Sequence, residues 1–220
     1  MAASWQTIAT VGTADGVLEL RRRRDDWLML IDGRVLMNSF SHGSEVALAA
    51  LVLGRLDHRP AQRVLVSGLG MGFTLRAVLD RVPATARVDV VEINPVVVEW
   101  CRGPLAAATE SALGDPRVRV DVRDVAEAIT HAPAGAYDLI ILDLYEGPNA
   151  ATQTADDPFY GPAALARTHR ALAPGGVVGF WSEDPDQAFA KRFASSRFDV
   201  TKHAIRSGQS RHVVYVGRRA

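Results

Sequence analysis

Apolar and polar positions alternate in short runs over the first forty residues. Trp5 to Val11, Val17 to Arg24, Trp27 to Ile31 and Val35 to Met37 are apolar or alternating. Ala14-Asp15-Gly16, Asp25-Asp26 and Asp32-Gly33 separate them. Asp-Gly between apolar runs is the strongest short hairpin signal, because both residues tolerate the positive φ of a tight hairpin turn. The pattern predicts a small β-hairpin module over residues 1–40.

Residues 41–220 follow another rhythm. Glu45 to Leu56 is rich in Ala and Leu and reads as a helix. Apolar, largely β-branched runs then recur at Val64–Ser67, Val88–Glu92, Val118–Val122, Leu139–Asp143 and Val177–Trp181, predicting strands. Helical stretches lie between them. Leu75, Val78, Leu79 and Val82 stand at i, i+3, i+4 and i+7, which gives a helix over Phe73–Val82 one apolar face. Asn94-Pro95 and Asp184-Pro185 each place a capping residue before a proline at the first helical position. Ala173-Pro174-Gly175-Gly176 reads as a helix stop and a turn before a buried strand. Strands alternating with helices imply an α/β fold with a parallel sheet and right-handed crossovers. Phe198–Ile205 and His212–Gly217 are separated mainly by Ser207-Gly208-Gln209-Ser210, too short for a parallel crossover. They form a hairpin, and the last strand runs antiparallel.

Composition removes several function classes. The chain has 220 residues, 48% of them hydrophobic, with 25 Lys+Arg against 25 Asp+Glu. A disordered chain has low hydrophobicity and high net charge, and this one has neither. A nucleic-acid binder needs surplus cation to neutralise phosphates, and none is left over. Arg21–Arg24 runs into Asp25-Asp26, so it reads as a self-neutralising surface turn. Cys101 is the only cysteine, which excludes an intrachain disulfide and predicts a buried, inert thiol. His58, His131, His169, His203 and His212 lack metal-ligand spacing and read as structural or surface, so no metal is expected. Neither a signal-peptide pattern nor an apolar run of about 20 residues occurs. The expectation is a cytoplasmic protein with no membrane partner.

In open α/β sheets ligands bind beyond the carboxyl ends of the strands. Ser67-Gly68-Leu69-Gly70-Met71-Gly72 follows the first strand of the parallel region and precedes a helix. Glycines there let the backbone turn tightly and approach a ligand. Glu92, twenty residues past Gly72 and followed by Ile93, stands where an acid accepts hydrogen bonds from a ribose diol. Asp124, followed by Val125, can accept from an adenine amino group and also cap the helix that runs to His131. Asp143 follows four apolar residues, and a carboxylate at the mouth of a buried strand is costly without a partner. Three acids on one edge with no P-loop lysine disfavour a pyrophosphate. They suit S-adenosylmethionine, which offers a ribose diol, an adenine amino group, an ammonium and a sulfonium. Tyr145 and Glu146 follow Asp143 in the loop that meets an acceptor. Trp181-Ser182-Glu183-Asp184 follows a strand on the same edge, and Trp181 is a candidate pocket wall. His42, between Ser41 and Gly43, lies at the expected rim as a candidate general base.

These residues resemble a known family. The order of elements is similar to the Rossmann-like class I S-adenosylmethionine-dependent methyltransferase fold, a mostly parallel seven-stranded sheet closed by an antiparallel hairpin. More closely, Val64 to Arg76, Val90-Val91-Glu92-Ile93-Asn94, Asp115-Pro116-Arg117-Val118, Tyr137 to Asp143 and Leu172 to Gly176 resemble the spermidine synthase (polyamine aminopropyltransferase) family. Gly72-Phe73-Thr74-Leu75-Arg76 is the most specific portion. Leu30-Ile31-Asp32-Gly33-Arg34-Val35 also looks like that family's N-terminal β-domain.

The departures are informative. The family's loop aspartate, which helps hold the aminopropyl end of decarboxylated S-adenosylmethionine, is replaced by Met71. In its Asp-Ser-Ser/Thr-Asp-Pro motif the first acid is kept as Asp143 and the second is replaced by Glu146. The Tyr-His/Gln pair that helps hold the polyamine falls near Glu45-Val46. Val66 stands where many methyltransferases carry an acid, which leaves Asp143, with the turn at Ser41 and His42, to hold the cofactor ammonium.

The resemblance implies a transferase that uses S-adenosylmethionine or its decarboxylated form, with no metal, and passes a methyl group to a small-molecule acceptor. The expected catalytic residues are Asp143, Tyr145, Glu146 and His42. The expected cofactor residues are Gly68, Leu69, Gly70, Met71, Gly72, Glu92, Ile93, Asp124, Val125 and Asp143. The alternative is aminopropyl transfer from decarboxylated S-adenosylmethionine to putrescine. A non-catalytic module of the same fold and an NAD oxidoreductase are further alternatives. The resemblance also implies a homodimer formed through the N-terminal hairpins.

Overall fold

Two sheets build the molecule. The computed structural model describes residues 3–56, 60–149, 154–207 and 210–220. His58 and the Gly208-Gln209 turn lie outside the described residues. Strands β1 (Gln6–Thr13), β2 (Gly16–Arg23), β3 (Asp26–Ile31) and β4 (Arg34–Asn38) form an antiparallel sheet in sequence order. Alternation decides its faces: Leu18, Leu20, Trp27 and Met29 point inward and are buried. The Arg21–Arg24 run is neutralised locally, by Glu19 for Arg21 at 2.6 Å and by Asp26 for Arg23 at 3.2 Å.

Helix α1 (Gly43–Gly54) leads into the second sheet. Its strands are β5 (Arg63–Ser67), β6 (Arg87–Glu92), β7 (Val118–Val122), β8 (Tyr137–Leu142), β9 (Leu172–Ser182), β10 (Phe198–Ser207) and β11 (Ser210–Arg219). Helices α2 (Phe73–Leu79), α3 (Pro95–Arg102), α4 (Val125–His131), α5 (Pro162–Ala171) and α6 (Gln187–Ala194) complete the crossovers and connections. The spatial order is β10-β11-β9-β8-β5-β6-β7, with β11 antiparallel to both neighbours. The strand order reverses between β5 and β8, so their carboxyl ends open a crevice.

Period-two alternation splits the core. Val64, Val66, Val88, Val90, Leu139 and Ile141 face one layer, with Leu48, Leu75, Val78 and Val97. Leu65, Val91, Ile140 and Leu142 face the other, with Ile129, Leu165, Phe189 and Phe193. Each strand is apolar on both faces because helices cover both.

Four local expectations are corrected. The cap of α6 is Asp186, whose carboxylate accepts from the Phe189 N–H at 2.6 Å, and not Asp184. The Tyr215 hydroxyl, from β11, accepts from the Asp186 N–H at 2.9 Å and so places the cap. Asn94 precedes α3 as expected but makes no cap bond. Its side chain donates instead to Asp15 at 3.3 Å. Helix α2 ends at Leu79, three residues early, where Arg117 takes the Leu79 and Val82 carbonyls at 2.9 and 3.0 Å. Ala173 to Gly176 is an irregularity inside β9, with Gly175 at φ +71°, and not a separate turn.

No helix among the described residues is long and apolar enough to cross a membrane.

Candidate active site

A cavity of about 600 Å³ lies over the carboxyl ends of β5, β6, β7, β8 and β9, with the small sheet as its roof. That size suits a drug-sized ligand. Leu18, Ile31, Val35 and Met37 supply the apolar roof. Polar contacts fasten it at its edges: Asp15 to Asn94, and Arg34 to Glu146 at 2.6 Å.

The glycine loop forms the floor. Gly68 sits at φ +78°, and a Cβ there would collide with the Asp143 carbonyl oxygen. Only glycine lets the loop and the strand after it approach so closely. The loop is anchored by the Leu69 N–H, which donates to Glu92 Oε2 at 2.8 Å, and by the Cys101 thiol on the Gly70 carbonyl at 3.2 Å. Burial and then the Glu92 charge push Cys101 up to about 12, so it stays a neutral thiol.

Glu92 is buried, and its other oxygen accepts from the Asn94 N–H at 2.9 Å. Burial raises its pKa, and the backbone donors at Asn94, Leu69 and Ile93 oppose that shift. Each carboxylate oxygen has two lone-pair sites, so capacity for a diol remains. Asp124 caps α4 through the Ala126 N–H at 2.7 Å while lining the cavity. The binding and capping roles considered for it are therefore compatible.

Asp143 follows the last residue of β8 and is partly exposed to the cavity. Thr74 donates to its Oδ2 at 2.5 Å. Burial, and then the charge of Glu45, push its carboxyl up to about 7, while the Thr74 bond pulls the other way. Glu45 itself is 7% exposed and lines the cavity from α1.

The loop after Asp143 carries the outer wall. Glu146 bonds Arg34 through Oε1 at 2.6 Å and Asn149 through Oε2 at 3.0 Å. The Arg34 guanidinium also sits over the Tyr145 ring, 5.6 Å from its centre. Trp181 lines the cavity beside His212, their rings 5.0 Å apart.

Gly68, Gly70, Glu92, Ile93, Asp124, Val125, Asp143, Tyr145, Glu146 and Trp181 thus meet at one cavity. Four expected residues are not in its lining. His42 lies in a neighbouring depression beside Arg76 and Asp80, stacked on Phe73 with ring centres 4.0 Å apart. Its Nδ1 is 2.9 Å from the Ser39 carbonyl, so the ring packs against the roof's edge while Ser41 lines the cavity. Leu69 and Met71 point into the core and are buried. The Met71 N–H meets the Met37 thioether at 3.0 Å, so the loop's apolar cover comes from β4. Gly72 caps α2 with φ +89° behind the loop. Glu45, Arg34, Met37 and His212 were not singled out from sequence. Only Glu45 carried a signal there, as an acid at the start of a predicted helix near the family's polyamine-holding pair.

Seven acids line the cavity: Asp15, Glu45, Glu92, Asp124, Asp143, Glu146 and Glu183. Among the described residues Arg123 is the one Lys or Arg in the lining, and Asp121 pairs with it at 2.8 Å. The cavity therefore favours a cationic occupant. Among the described residues no group of three or more His, Cys, Asp or Glu is arranged to hold a metal ion.

Comparison with known proteins bears on the family and the fold. Putrescine N-methyltransferase 1 of Nicotiana tabacum is 40% identical over 119 residues, covering 53% of this chain and 29% of that protein. Polyamine aminopropyltransferase 2 of Streptomyces coelicolor is 35% identical over 175 residues, covering 78% of this chain and 28% of that protein. The chain thus spans under a third of the length of these curated relatives. The spermidine synthase structure from Thermotoga maritima superposes with a TM-score of 0.81 at 19% identity, over 98% of this chain and 73% of that one, which shows the shared fold. Residues 48–206 match the family model described as the spermine/spermidine synthase domain. That match spans well over half of the chain, which belongs to the spermine/spermidine synthase family.

Proposed function

We propose that the chain is a transferase that moves a methyl group from S-adenosylmethionine to the amine of a small acceptor. The observation that carries the reading is the placement of acids. The glycine loop offers no acid at Met71, whose side chain is buried, so an aminopropyl ammonium has no partner there. Asp143 and Glu45 instead line the cavity as neighbouring acids that could receive an acceptor amine.

Glu92 fits the ribose diol and Asp124 the adenine amino group. The bound cofactor supplies an electrophilic methyl on a sulfonium, with a neutral thioether as leaving group. The protein aligns an amine in line with that carbon and removes a proton. A carboxylate near pH 7 in its titration is suited to that proton. Asp143 takes it, and Thr74 holds the carboxylate in orientation.

A second reading, aminopropyl transfer from decarboxylated S-adenosylmethionine, draws on a separate observation. Arg123 is already paired, so among the described lining residues the carboxylate of intact S-adenosylmethionine meets no free Lys or Arg. The relatives' names support both chemistries.

Thermal shift with S-adenosylmethionine, its decarboxylated form, S-adenosylhomocysteine and NAD tests both. At a hundredfold excess over Kd, binding adds about 2.7 kcal/mol. No shift with any adenosyl ligand overturns both readings. A larger shift with the decarboxylated form, with an aminopropylated product by mass spectrometry, selects the second.

A further inference from the structure

Glu45 reaches the cavity from the first turn of α1, and Asp143 reaches it from the end of β8. Each carboxylate is held by a hydroxyl. Glu45 Oε2 accepts from Ser44 at 2.6 Å, and Asp143 Oδ2 accepts from Thr74. A hydroxyl satisfies one lone pair without cancelling charge. Among the described residues no Lys or Arg forms an ion pair with either carboxylate.

Four elements surround Asp143. Thr74 on α2 donates to its carboxylate, and β5 supplies the Ser67 carbonyl, which accepts from the Asp143 N–H at 2.9 Å. Tyr160, just before α5, lies within its field. Burial, and then Asp157 and Asp143, push the Tyr160 phenol up, so it stays neutral. Among the described residues Glu45 on α1 is thus the charged group that acts on the Asp143 carboxyl. An ordinary carboxylate is a poor acceptor for the proton of an alkylammonium, because their acidities lie roughly six pH units apart. A like charge beside the carboxyl narrows that gap by disfavouring its ionised form.

We propose that Glu45 is a positioning residue for the transfer: it acts through Asp143, and its charge makes that carboxylate basic enough to take the proton of a bound ammonium. The N–H proton passes to the Asp143 carboxylate. The nitrogen lone pair so freed forms the new N–C bond, and the electrons of the broken C–S bond leave with sulfur as a neutral thioether. The proposal rests on the transferase reading and holds for either donor, since both present a sulfonium.

Two readouts test it. Carboxyl-carbon NMR of the ligand-free chain with isotope-labelled aspartate follows the Asp143 titration, with Asp143→Asn assigning the signal. Glu45→Gln removes the charge but keeps the side-chain length and an oxygen for Ser44, so it should keep the fold. Glu45→Asp keeps the charge. The Asp143 midpoint should lie near 7 in the wild type. It should fall by at least about one pH unit in Glu45→Gln and largely return in Glu45→Asp. Initial rates with 1,4-diaminobutane and S-adenosylmethionine or its decarboxylated form supply the second readout. In Glu45→Gln the acid limb of kcat should move to lower pH and the plateau fall several-fold, with little change in the amine KM. An unmoved Asp143 midpoint overturns the proposal. A raised amine KM with an unmoved acid limb also overturns it and makes Glu45 a direct ligand of the amine. Product from neither donor, while adenosyl ligands still bind, overturns it too. Failure of every adenosyl ligand to shift the melting temperature overturns the transferase reading instead, and the carboxyl titration then shows independently whether the two acids are coupled.

Discussion

Thr74 and Asp143 share a short hydrogen bond across the cavity floor, from the hydroxyl on α2 to the carboxylate after β8, at 2.5 Å. The bond favours the ionised carboxylate, whereas burial and Glu45 oppose ionisation. Thr74→Val removes the donor with little change in volume. The carboxyl pKa then rises further, so less of the base form is present at neutral pH. We expect the acid limb of the pH–rate profile to move upward. Activity at neutral pH should fall several-fold and recover at higher pH. A profile that keeps its midpoint would show that Asp143 is not the titrating base.

The same carboxyl links stability to pH. Its folded-state pKa, near 7, lies above the ordinary value of 3.8, so the folded state holds the proton more tightly. Its stabilising contribution is complete below the ordinary value and is lost as pH rises through the folded value. The melting temperature of the wild type should therefore fall between about pH 4 and pH 8 more steeply than that of Asp143→Asn. Equal slopes in differential scanning calorimetry would contradict the shift.

Glu92 has two tasks that substitution can separate. Its carboxylate receives the Leu69 and Asn94 backbone donors. Glu92→Ala leaves two N–H groups without their partner, each costing about 1–3 kcal/mol if it stays buried. Urea denaturation should register that loss. Glu92→Gln keeps one acceptor oxygen. It should fold more stably than the alanine variant while binding adenosyl ligands at least several-fold more weakly than the wild type.

Gly68 and Gly33 share φ +78° but differ in surroundings. Around Gly33 a Cβ meets nothing within 4 Å, so Gly33→Ala should cost about 1 kcal/mol from backbone conformation alone. At Gly68 the added carbon collides with the Asp143 backbone. Gly68→Ala should therefore cost more than about 3 kcal/mol and displace the carboxylate. Equal denaturation midpoints for the two variants would remove the argument for close approach.

Much of the fold was legible because its signals are local. Val64-Leu65-Val66 shows a strand apolar on both faces, and Asp32-Gly33 shows a hairpin turn. The gathering of the proposed cofactor residues at one cavity was legible for the same reason. Gly68, Glu92, Asp124 and Asp143 each lie at or just after a strand end, and strand ends share one edge of a parallel sheet. The cap of α6 was misplaced because a distant hydroxyl, from Tyr215, positions Asp186. His42 was misplaced because a loop's neighbours in sequence do not settle which side of a helix it packs on. It stacks on Phe73, whereas Ser41 faces the cavity.

Order and periodicity in the chain were enough to specify the α/β layers, the closing hairpin and the row of acids, since each follows from bonds and spacing within a few residues. The charge balance of the cavity was not available at that level. Arg34 and Glu146 are 112 positions apart, and His212 reaches Trp181 through the pairing of β11 with β9. Coulomb energy depends on distance and burial rather than on order along the chain. Folding is therefore what gave Glu146 a cation and, among the described residues, left Glu45 and Asp143 without an ion pair.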